Sequence, residues 1–261
     1  MTDFTMTTDA DGIATIIWDC ASKPMNVMTL EALKVLEGLT DTALADPEVK
    51  AIILTSAKTH FAAGMDLNVL GSMTSSTGSA PAEGIFQTMT GIHALLRKIE
   101  RAGMDIKTKK GGKPIATVLP GTALGIGFEL PLATHRIFAA TNPKAKIGLP
   151  EIMVGIFPGA GGTTRLVHKM GVMTAAPFLL EGKTLAPKKA KSAGLIDEVS
   201  DDPMAAARAW VLQAKDADLV KPWDAKGYKM PGGAPYHPAG FMTFVGASAM
   251  INGKTQGAFP A

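Results

Sequence analysis

The stretch that decides the fold is GTALGIGFEL, residues 121–130, together with the apolar run PIATVL, residues 114–119, in front of it. The β-branched run predicts a buried strand. The glycines behind it predict a turn that brings backbone N–H groups close to a ligand, and a helix follows. Glu129 falls in the first turn of that helix, where the macrodipole favours a negative group.

The alternation of strands and helices extends outward from this stretch. Upstream, GIATIIWDC (12–20) and VKAIILTS (49–56) predict two strands, and the leucines between them recur at helical spacing behind Thr29. The order strand, helix, strand favours parallel pairing. Apolar periodicity also predicts a long helix over 85–99, just upstream of the stretch, and a later one over 204–214, downstream of it. We therefore expect an α/β protein.

Two stretches that break the pattern predict long loops, 71–84 and 104–113. Residues 221–240 are rich in Pro and Gly and show no periodicity. We divide the chain into a core, residues 1–200, and a C-terminal helix with an irregular tail, residues 201–261. The abrupt end of the chain favours an incomplete C-terminal region.

Composition excludes several classes of protein. Twenty-six basic residues against 23 acidic ones give a net charge of +3, which is too balanced to indicate a polyanion-binding surface. The single cysteine, Cys20, excludes an internal disulfide and a zinc ribbon. The N-terminus lacks the pattern of a secretory signal, and no apolar run reaches about 18 residues. We expect a soluble cytoplasmic protein that is not inserted in a membrane.

Familiar nucleotide and metal motifs are incomplete. Leu130 stands where a dinucleotide fingerprint needs its third glycine, and the Gly-Lys-Thr triplets at 182–184 and 253–255 lack the earlier glycine of a phosphate loop. The histidines show no metal-ligand spacing; they are His60, His93, His135, His168 and His237. We expect neither a metal nor a separate cofactor.

A second glutamate follows Pro150 in GLPEIMVGIFPGAGGTTRL, residues 148–166. Glu151 lies 22 residues after Glu129, so the two carboxyl groups can meet only across the fold. Spacing alone does not prove that they do, and a single glutamate at such a position is more often a helix-start charge. A third turn, HFAAGMDLNVL (60–70), also offers backbone donors or is simply a tight connection.

Together these segments resemble the enoyl-CoA hydratase, or crotonase, family. FAAGMDL is similar to its F-x-A-G-x-D-[LI] element, GTALGIGFEL to G-x-A-x-G-G-G-x-E-L, and LPEIMVGIFPGAGGTTRL to P-E-x-x-x-G-x-x-P-x-x-G-G-[ST]-x-R-L. LEGKTLAPKKAKSAGLIDEVS, residues 180–200, is similar to a later family segment. The order agrees, and the resemblance covers roughly residues 12–200.

The resemblance implies a spiral of stacked ββα units and names the site residues. Glu129 and Glu151 correspond to the catalytic acids, and the backbone N–H groups of Met65 and Ile126 to the oxyanion hole. Ile126 replaces the usual middle glycine, which restricts that turn but keeps its N–H group. The residues implied to bind substrate or CoA are Lys23, Met25, Ala62, Ala63, Asp66, Gly125, Pro150 and Gly159.

The implied activity is syn addition of water to 2-enoyl-CoA in fatty-acid β-oxidation, with CoA as part of the substrate. The implied partners are copies of the chain in a homotrimer or hexamer, or covalent domains of a multifunctional 3-hydroxyacyl-CoA dehydrogenase chain. Isomerisation of 3-enoyl-CoA and an inactive fragment stay open. RNA binding is a remote alternative, because the basic cluster Lys107, Lys109, Lys110 and Lys113 contains no aromatic residue.

Overall fold

The computed structural model describes residues 2–69, 71 and 81–256. The strands are β1 Phe4–Thr8, β2 Ile13–Trp18, β3 Ala51–Ser56, β4 Ile115–Leu119, β5 Ala123–Leu124, β6 Arg136–Ala140, β7 Ile147–Gly148, β8 Thr184–Leu185 and β9 Glu198–Ser200. The helices are α1 Leu30–Ala45, α2 Pro81–Arg101, α3 Ile126–Ala133, α4 Gly162–Met170, α5 Val172–Leu180, α6 Pro187–Ser192, α7 Pro203–Gln213 and α8 Pro238–Thr255. Three 3₁₀ turns cover Glu151–Val154, Asp216–Leu219 and Pro222–Asp224.

The main sheet has six strands in the order β1-β2-β3-β4-β6-β9. The β1–β2 pair is a hairpin, and every later neighbour is parallel. Parallel pairing of β2 with β3, in register Ile13 to Ala51, confirms the prediction from the strand-helix-strand order. The intervening helix α1 begins at the predicted place, because the Thr29 hydroxyl accepts a hydrogen bond from the Ala32 N–H. The predicted α/β class is thus confirmed.

Helices cover both faces of this sheet. The larger apolar cluster joins the sheet to α1 and α2 and includes Leu36 and Leu96. On the other face Ala207 and Val211 of α7 pack with Ile53 and Phe138. Packing of the core therefore continues through α7, which lies beyond the predicted boundary at residue 200.

A small sheet in the order β5-β7-β8 stands beside the main one and carries the turns that precede α3 and Glu151. Ala123 and Leu124 of β5 pair in parallel with Ile147 and Gly148 of β7. The two glutamates are thus brought near each other by one short strand pair, since Glu129 lies five residues after β5 and Glu151 three residues after β7.

Two predicted loops have different outcomes. The loop over 104–113 is confirmed as turns, in which the Asp105 carboxylate accepts from the N–H groups of residues 107 and 108. One member of the basic cluster, Lys113, donates to the carbonyls of Ala43 and Asp46 at the C-terminal end of α1. The prediction of a loop over 71–84 is wrong at its C-terminal end, because α2 already begins at Pro81. Residues 72–80 lie outside the described residues.

The C-terminal region holds a helix that the sequence did not predict. Helix α8 spans 18 residues and contacts α5. Its glycines, Gly240, Gly246 and Gly253, and its many small residues leave no one-sided apolar stripe to identify it. Within the described ranges, no helix has the length and apolar character needed to cross a membrane.

Candidate active site

The candidate site is built around the turn that starts helix α3. Gly125 adopts φ 57° and ψ −133°, a conformation that a side chain would strain. A Cβ at Gly125 would lie 3.3 Å from Glu151 Oε1, and a Cβ at Gly127 would lie 2.6 Å from the Cβ of Ala62. Glycines at both positions therefore allow the helix start, the Glu151 carboxyl and the loop around Ala62 to pack directly together.

Glu129 lies one turn into α3, as predicted, and is only 2% exposed. Its Oε1 accepts a hydrogen bond of 2.7 Å from the Gly162 N–H at the start of α4. Burial, aided by the nearby charge of Glu151, raises the pKa of Glu129 to about 7, although the N–H groups of Gly162 and Ala160 and the charge of Arg165 oppose the rise. This carboxyl group can therefore gain or lose a proton near neutral pH.

Glu151 is the first residue of the 3₁₀ turn behind Pro150. Burial raises its pKa also to about 7. Its Oε2 is buried and accepts no hydrogen bond from any residue that the structure describes. Because Oε1 faces Gly125 and the Glu129 N–H donates to the Gly125 carbonyl, both acids lie close to one glycine.

Backbone donors lie beside the two acids. The segments around Ala62 and Ala123 run side by side, joined by a bridge and by a 3.1 Å bond from the Leu124 N–H to the Ala62 carbonyl. A Cβ at Gly125 would lie 3.6 Å from the Gly64 Cα, and Met65 and Ile126 each follow one of these glycines. Over the described ranges, neither the Met65 N–H nor the Ile126 N–H donates to an acceptor. Both donors are therefore free for a ligand oxygen.

The residues predicted to bind CoA fall into separate groups. Lys23 and Asp66 are paired with each other at 3.2 Å, and the Asn68 N–H together with Lys23 keeps the pKa of Asp66 below its usual value. Met25 is half-buried and Ala63 is exposed beside this pair. Ala62 is fully buried, and its N–H and carbonyl are bonded to Thr122 and Leu124.

The remaining predicted residues lie on two sides of the acids. Gly125 and Pro150 each adjoin Glu151. Gly159 lies against α2 instead: its carbonyl is 2.6 Å from His93 Nε2, and a Cβ there would lie 3.1 Å from the Met89 side chain. The structure thus brings Gly159 to the wall formed by α2 rather than to the segment around Lys23.

Several residues that shape the site were not singled out from the sequence. The Asn26 amide holds the ends of β2 and β3 together, within bonding distance of the Trp18 and Phe61 carbonyls and the Ser56 hydroxyl. Gly162 supplies the N–H group that binds Glu129. The paired glycines 161–162 before α4 were a signal for such a donor, whereas the buried Asn26 carried none.

The surface next to Glu151 is unusually apolar. Five side chains in the segment that follows it are more than a third exposed, namely Ile152, Met153, Val154, Ile156 and Phe157. Contiguous exposed apolar residues mark surfaces that bind ligands or other protein surfaces. An apolar surface therefore lies directly after Glu151 in the chain.

Comparison with solved structures shows the same fold in known proteins. An enoyl-CoA hydratase from Geobacillus kaustophilus is 28% identical over 82% of this chain and 74% of its own, with a TM-score of 0.69. One from Thermoplasma volcanium is 24% identical over 100% of this chain and 94% of its own, with a TM-score of 0.69. DspI from Pseudomonas aeruginosa is 24% identical over 84% of each chain, with a TM-score of 0.67.

A match to a sequence family agrees with these structures. Residues 10–217, most of the chain, match the family model described as enoyl-CoA hydratase/isomerase. The matched range contains Glu129, Glu151 and both backbone donors. The chain therefore belongs to the enoyl-CoA hydratase/isomerase, or crotonase, family, whose members act on CoA thioesters.

Proposed function

We propose that the protein adds water syn across the double bond of 2-enoyl-CoA thioesters, in the β-oxidation of fatty acids. The observation that carries this proposal is a pair of carboxyl groups, the buried Glu129 and the half-buried Glu151, beside the free N–H groups of Met65 and Ile126. Hydration of a conjugated thioester requires a base, an acid and a site that accepts developing negative charge on oxygen.

The N–H groups of Met65 and Ile126 serve as the oxyanion hole. As water attacks C3, negative charge moves onto the thioester oxygen, so donors aimed at that oxygen bind the transition state more tightly than the substrate. The Ile126 N–H stands at the N-terminus of α3, where the helix dipole adds to its effect. Each such donor is typically worth about 3 kcal/mol of transition-state stabilisation.

Glu129 and Glu151 divide the acid and base roles. In our mechanism Glu129 accepts the proton of the water that attacks C3, and Glu151 delivers a proton to C2 on the same face, which gives syn addition. With the pKa of each near 7, the repelling pair holds about one proton at neutral pH. One ionised and one protonated carboxyl group is the state that this mechanism needs.

We place the acyl-CoA substrate along residues 22–26 and 62–66, where Lys23 and Ala63 are exposed. Lys23 is the only one of the predicted binding residues with a cationic side chain, and it remains 45% exposed although it pairs with Asp66. We assign to it a contact with a CoA phosphate, for which the ammonium group must be shared with Asp66 or leave it. Neither a metal nor a separate cofactor enters the proposed reaction.

Copies of the chain are proposed to assemble as a homotrimer or a hexamer. The exposed apolar side chains of residues 152–157 supply surface that assembly would bury. The other proposed arrangement is a covalent one, in which the chain is the hydratase portion of a multifunctional enzyme. Light scattering after size-exclusion chromatography tests the first arrangement: a monomer at micromolar concentration contradicts it.

The assay that tests the proposal compares two substrates. Purified protein is incubated with crotonyl-CoA, and loss of the conjugated double bond is followed by absorbance; a 3-enoyl-CoA is assayed in parallel. Isomerisation needs only one base to move a proton between carbons, so it is the alternative that the family leaves open. Faster turnover of crotonyl-CoA supports hydration, whereas turnover of the 3-enoyl substrate alone makes the protein an isomerase.

A further inference from the structure

A buried arginine lies directly against the turn that holds Glu129. Arg165 on α4 is 8% exposed, and its Nη1 donates a 2.9 Å hydrogen bond to the Ala160 carbonyl. A Cβ at Gly161 would overlap that same nitrogen. The guanidinium therefore fills the space beneath the Ala160–Gly162 turn and fixes its shape.

The Ala160–Gly162 turn, in turn, holds the carboxyl group of Glu129 in position. The Gly162 N–H donates to Glu129 Oε1 at 2.7 Å, and the Ala160 N–H stabilises the ionised form as well. A shift of the turn would move these donors and with them the carboxylate. Arg165 thus acts on Glu129 through the backbone of three residues, without touching the reacting atoms.

A second pair of charges holds the arginine. Glu100 on α2 is 3% exposed, and its Oε1 accepts from Arg165 Nε at 2.9 Å. Its Oε2 accepts from Arg97 Nη1 at 2.8 Å, and Arg97 in turn is paired with Asp224. Cations and anions alternate along this series of four side chains. The buried Glu100 carboxylate and the buried Arg165 guanidinium are therefore each paired with an opposite charge.

We propose that Arg165 is a positioning residue for the hydration reaction: anchored by Glu100, it holds the Ala160–Gly162 turn in the shape that orients the Glu129 carboxylate toward the attacking water. The inference rests on the proposed function, because it assigns Glu129 as the base. It adds a residue whose contribution to rate is made through the backbone.

The charged groups around Glu129 determine how a substitution at Arg165 changes the pKa of Glu129. Glu151 faces it from the 3₁₀ turn and Arg165 from α4. His135 and Lys221 lie at the other end of α3, where the His135 ring is 3.2 Å from the Glu100 carbonyl. Burial lowers the pKa of His135 to about 3, so it stays neutral in the working range. Loss of the Arg165 charge, or of the hydrogen bonds that the Gly162 and Ala160 N–H groups donate to Glu129, therefore raises the pKa of Glu129.

The test compares Arg165→Lys with Arg97→Lys. Both variants keep a cation next to Glu100, but only Arg165 touches the glycine turn, and lysine lacks the planar fork that reaches Glu100 and Ala160 together. For Arg165→Lys we expect kcat for crotonyl-CoA to fall about 10- to 100-fold with KM within about threefold. The acidic limb of its pH–rate profile moves to higher pH. Arg97→Lys keeps the wild-type kcat and pH profile.

A purely structural role predicts a different pattern. Equal losses of kcat in the two variants, or a loss at Arg165 without a shift of the acidic limb, would overturn the proposal. If Arg165→Lys does not fold, the double variant Glu100→Gln/Arg165→Gln, which removes both charges, replaces it with the same expectations.

A second readout separates this inference from the proposed function. The Glu129 carboxyl group is titrated by ¹³C NMR on glutamate-labelled protein, with the signal assigned by its loss in Glu129→Gln. A higher pKa in Arg165→Lys and an unchanged one in Arg97→Lys support the positioning role even if the wild-type protein does not hydrate crotonyl-CoA. The same pKa in wild type and Arg165→Lys contradicts it.

Discussion

The two ends of helix α3 are treated in opposite ways. At its start, the N–H groups of Met65 and Ile126 have no acceptor in the described part of the chain, and Glu129 is buried one turn away. At its end, Lys221 donates to the carbonyls of Leu132 and Thr134 at 3.0 and 2.5 Å. Helix α3, only eight residues long, thus has free backbone donors at its start and hydrogen-bonded carbonyl groups at its end.

The difference separates function from stability. Buried polar groups normally find partners, because an unpaired one costs free energy of folding. The carboxyl end of α3 follows this rule with a buried ammonium group, while the amino end keeps free donors and two acids of raised pKa. Polar groups left open in this way are available to a substrate oxygen and a water, and the following predictions test that division.

The largest effect is expected at the acids of the amino end. Glu129→Gln and Glu151→Gln should each lower kcat for crotonyl-CoA about 10²- to 10⁴-fold, since each removes a proton-transfer group but keeps the shape. The melting temperature should not fall, because a buried ionisable group is replaced by a neutral one. Glu198→Gln, the same change in a half-buried ion pair with Arg136, is the control and should keep full activity. Equal rates in all three variants would contradict the site.

The next effect concerns a backbone donor at the same end. Ile126 occupies the first helical position, where proline fits the helix, so Ile126→Pro removes the N–H group with little change to the backbone. We expect a loss of kcat of about 10²- to 10³-fold. Ile126→Ala also removes the buried side chain but retains the donor, and it serves as the control. If the two variants lose activity equally, the N–H group is not part of an oxyanion hole.

Folding stability should show the raised pKa values directly. Each acid has a pKa of about 7 in the folded chain against 4.5 for an ordinary glutamate, so the folded chain binds more protons between these values. The contribution of these bound protons to the free energy of unfolding is fully present below about pH 4.5 and is lost as the pH rises through 7. Relative to Glu129→Gln/Glu151→Gln, the wild type should lose on the order of 5 kcal/mol from pH 5 to pH 8, about half of it from each acid. Urea unfolding measures this, and parallel pH dependences would refute it.

The smallest effect is expected at the carboxyl end. Lys221→Met leaves the Leu132 and Thr134 carbonyls without their donor and should lower the free energy of unfolding by roughly 2 kcal/mol. Because the site lies at the other end of the helix, kcat should stay within about twofold. Lys226→Met, a change at an exposed lysine, is the control for urea unfolding. A large loss of kcat in folded Lys221→Met would show that the two ends are not independent.

Local patterns predicted much of this arrangement. The Thr29 cap, the parallel strands β2 and β3 and the place of Glu129 in its helix each depend on residues close together in the chain, so periodicity and turn chemistry were sufficient. The meeting of Glu129 and Glu151 was expected from the motifs, and the short pair β5–β7 supplies its physical basis.

Interactions between distant segments were not predictable in the same way. Arg165 and Glu100 are 65 residues apart, and Lys221 and Leu132 are 89 apart, so no local pattern indicates either pair. The full burial of Ala62 also depends on the close approach of Gly127, which only the folded chain shows. Helix α8 lacks the apolar stripe by which helices are recognised.

The most direct test is a crystal structure with an unreactive acyl-CoA analogue bound. We expect the thioester oxygen within about 3 Å of both the Met65 and the Ile126 nitrogen atoms, and a single water in contact with the carboxyl groups of Glu129 and Glu151. A thioester oxygen bound elsewhere, or either carboxyl group turned away from that water, would contradict the account.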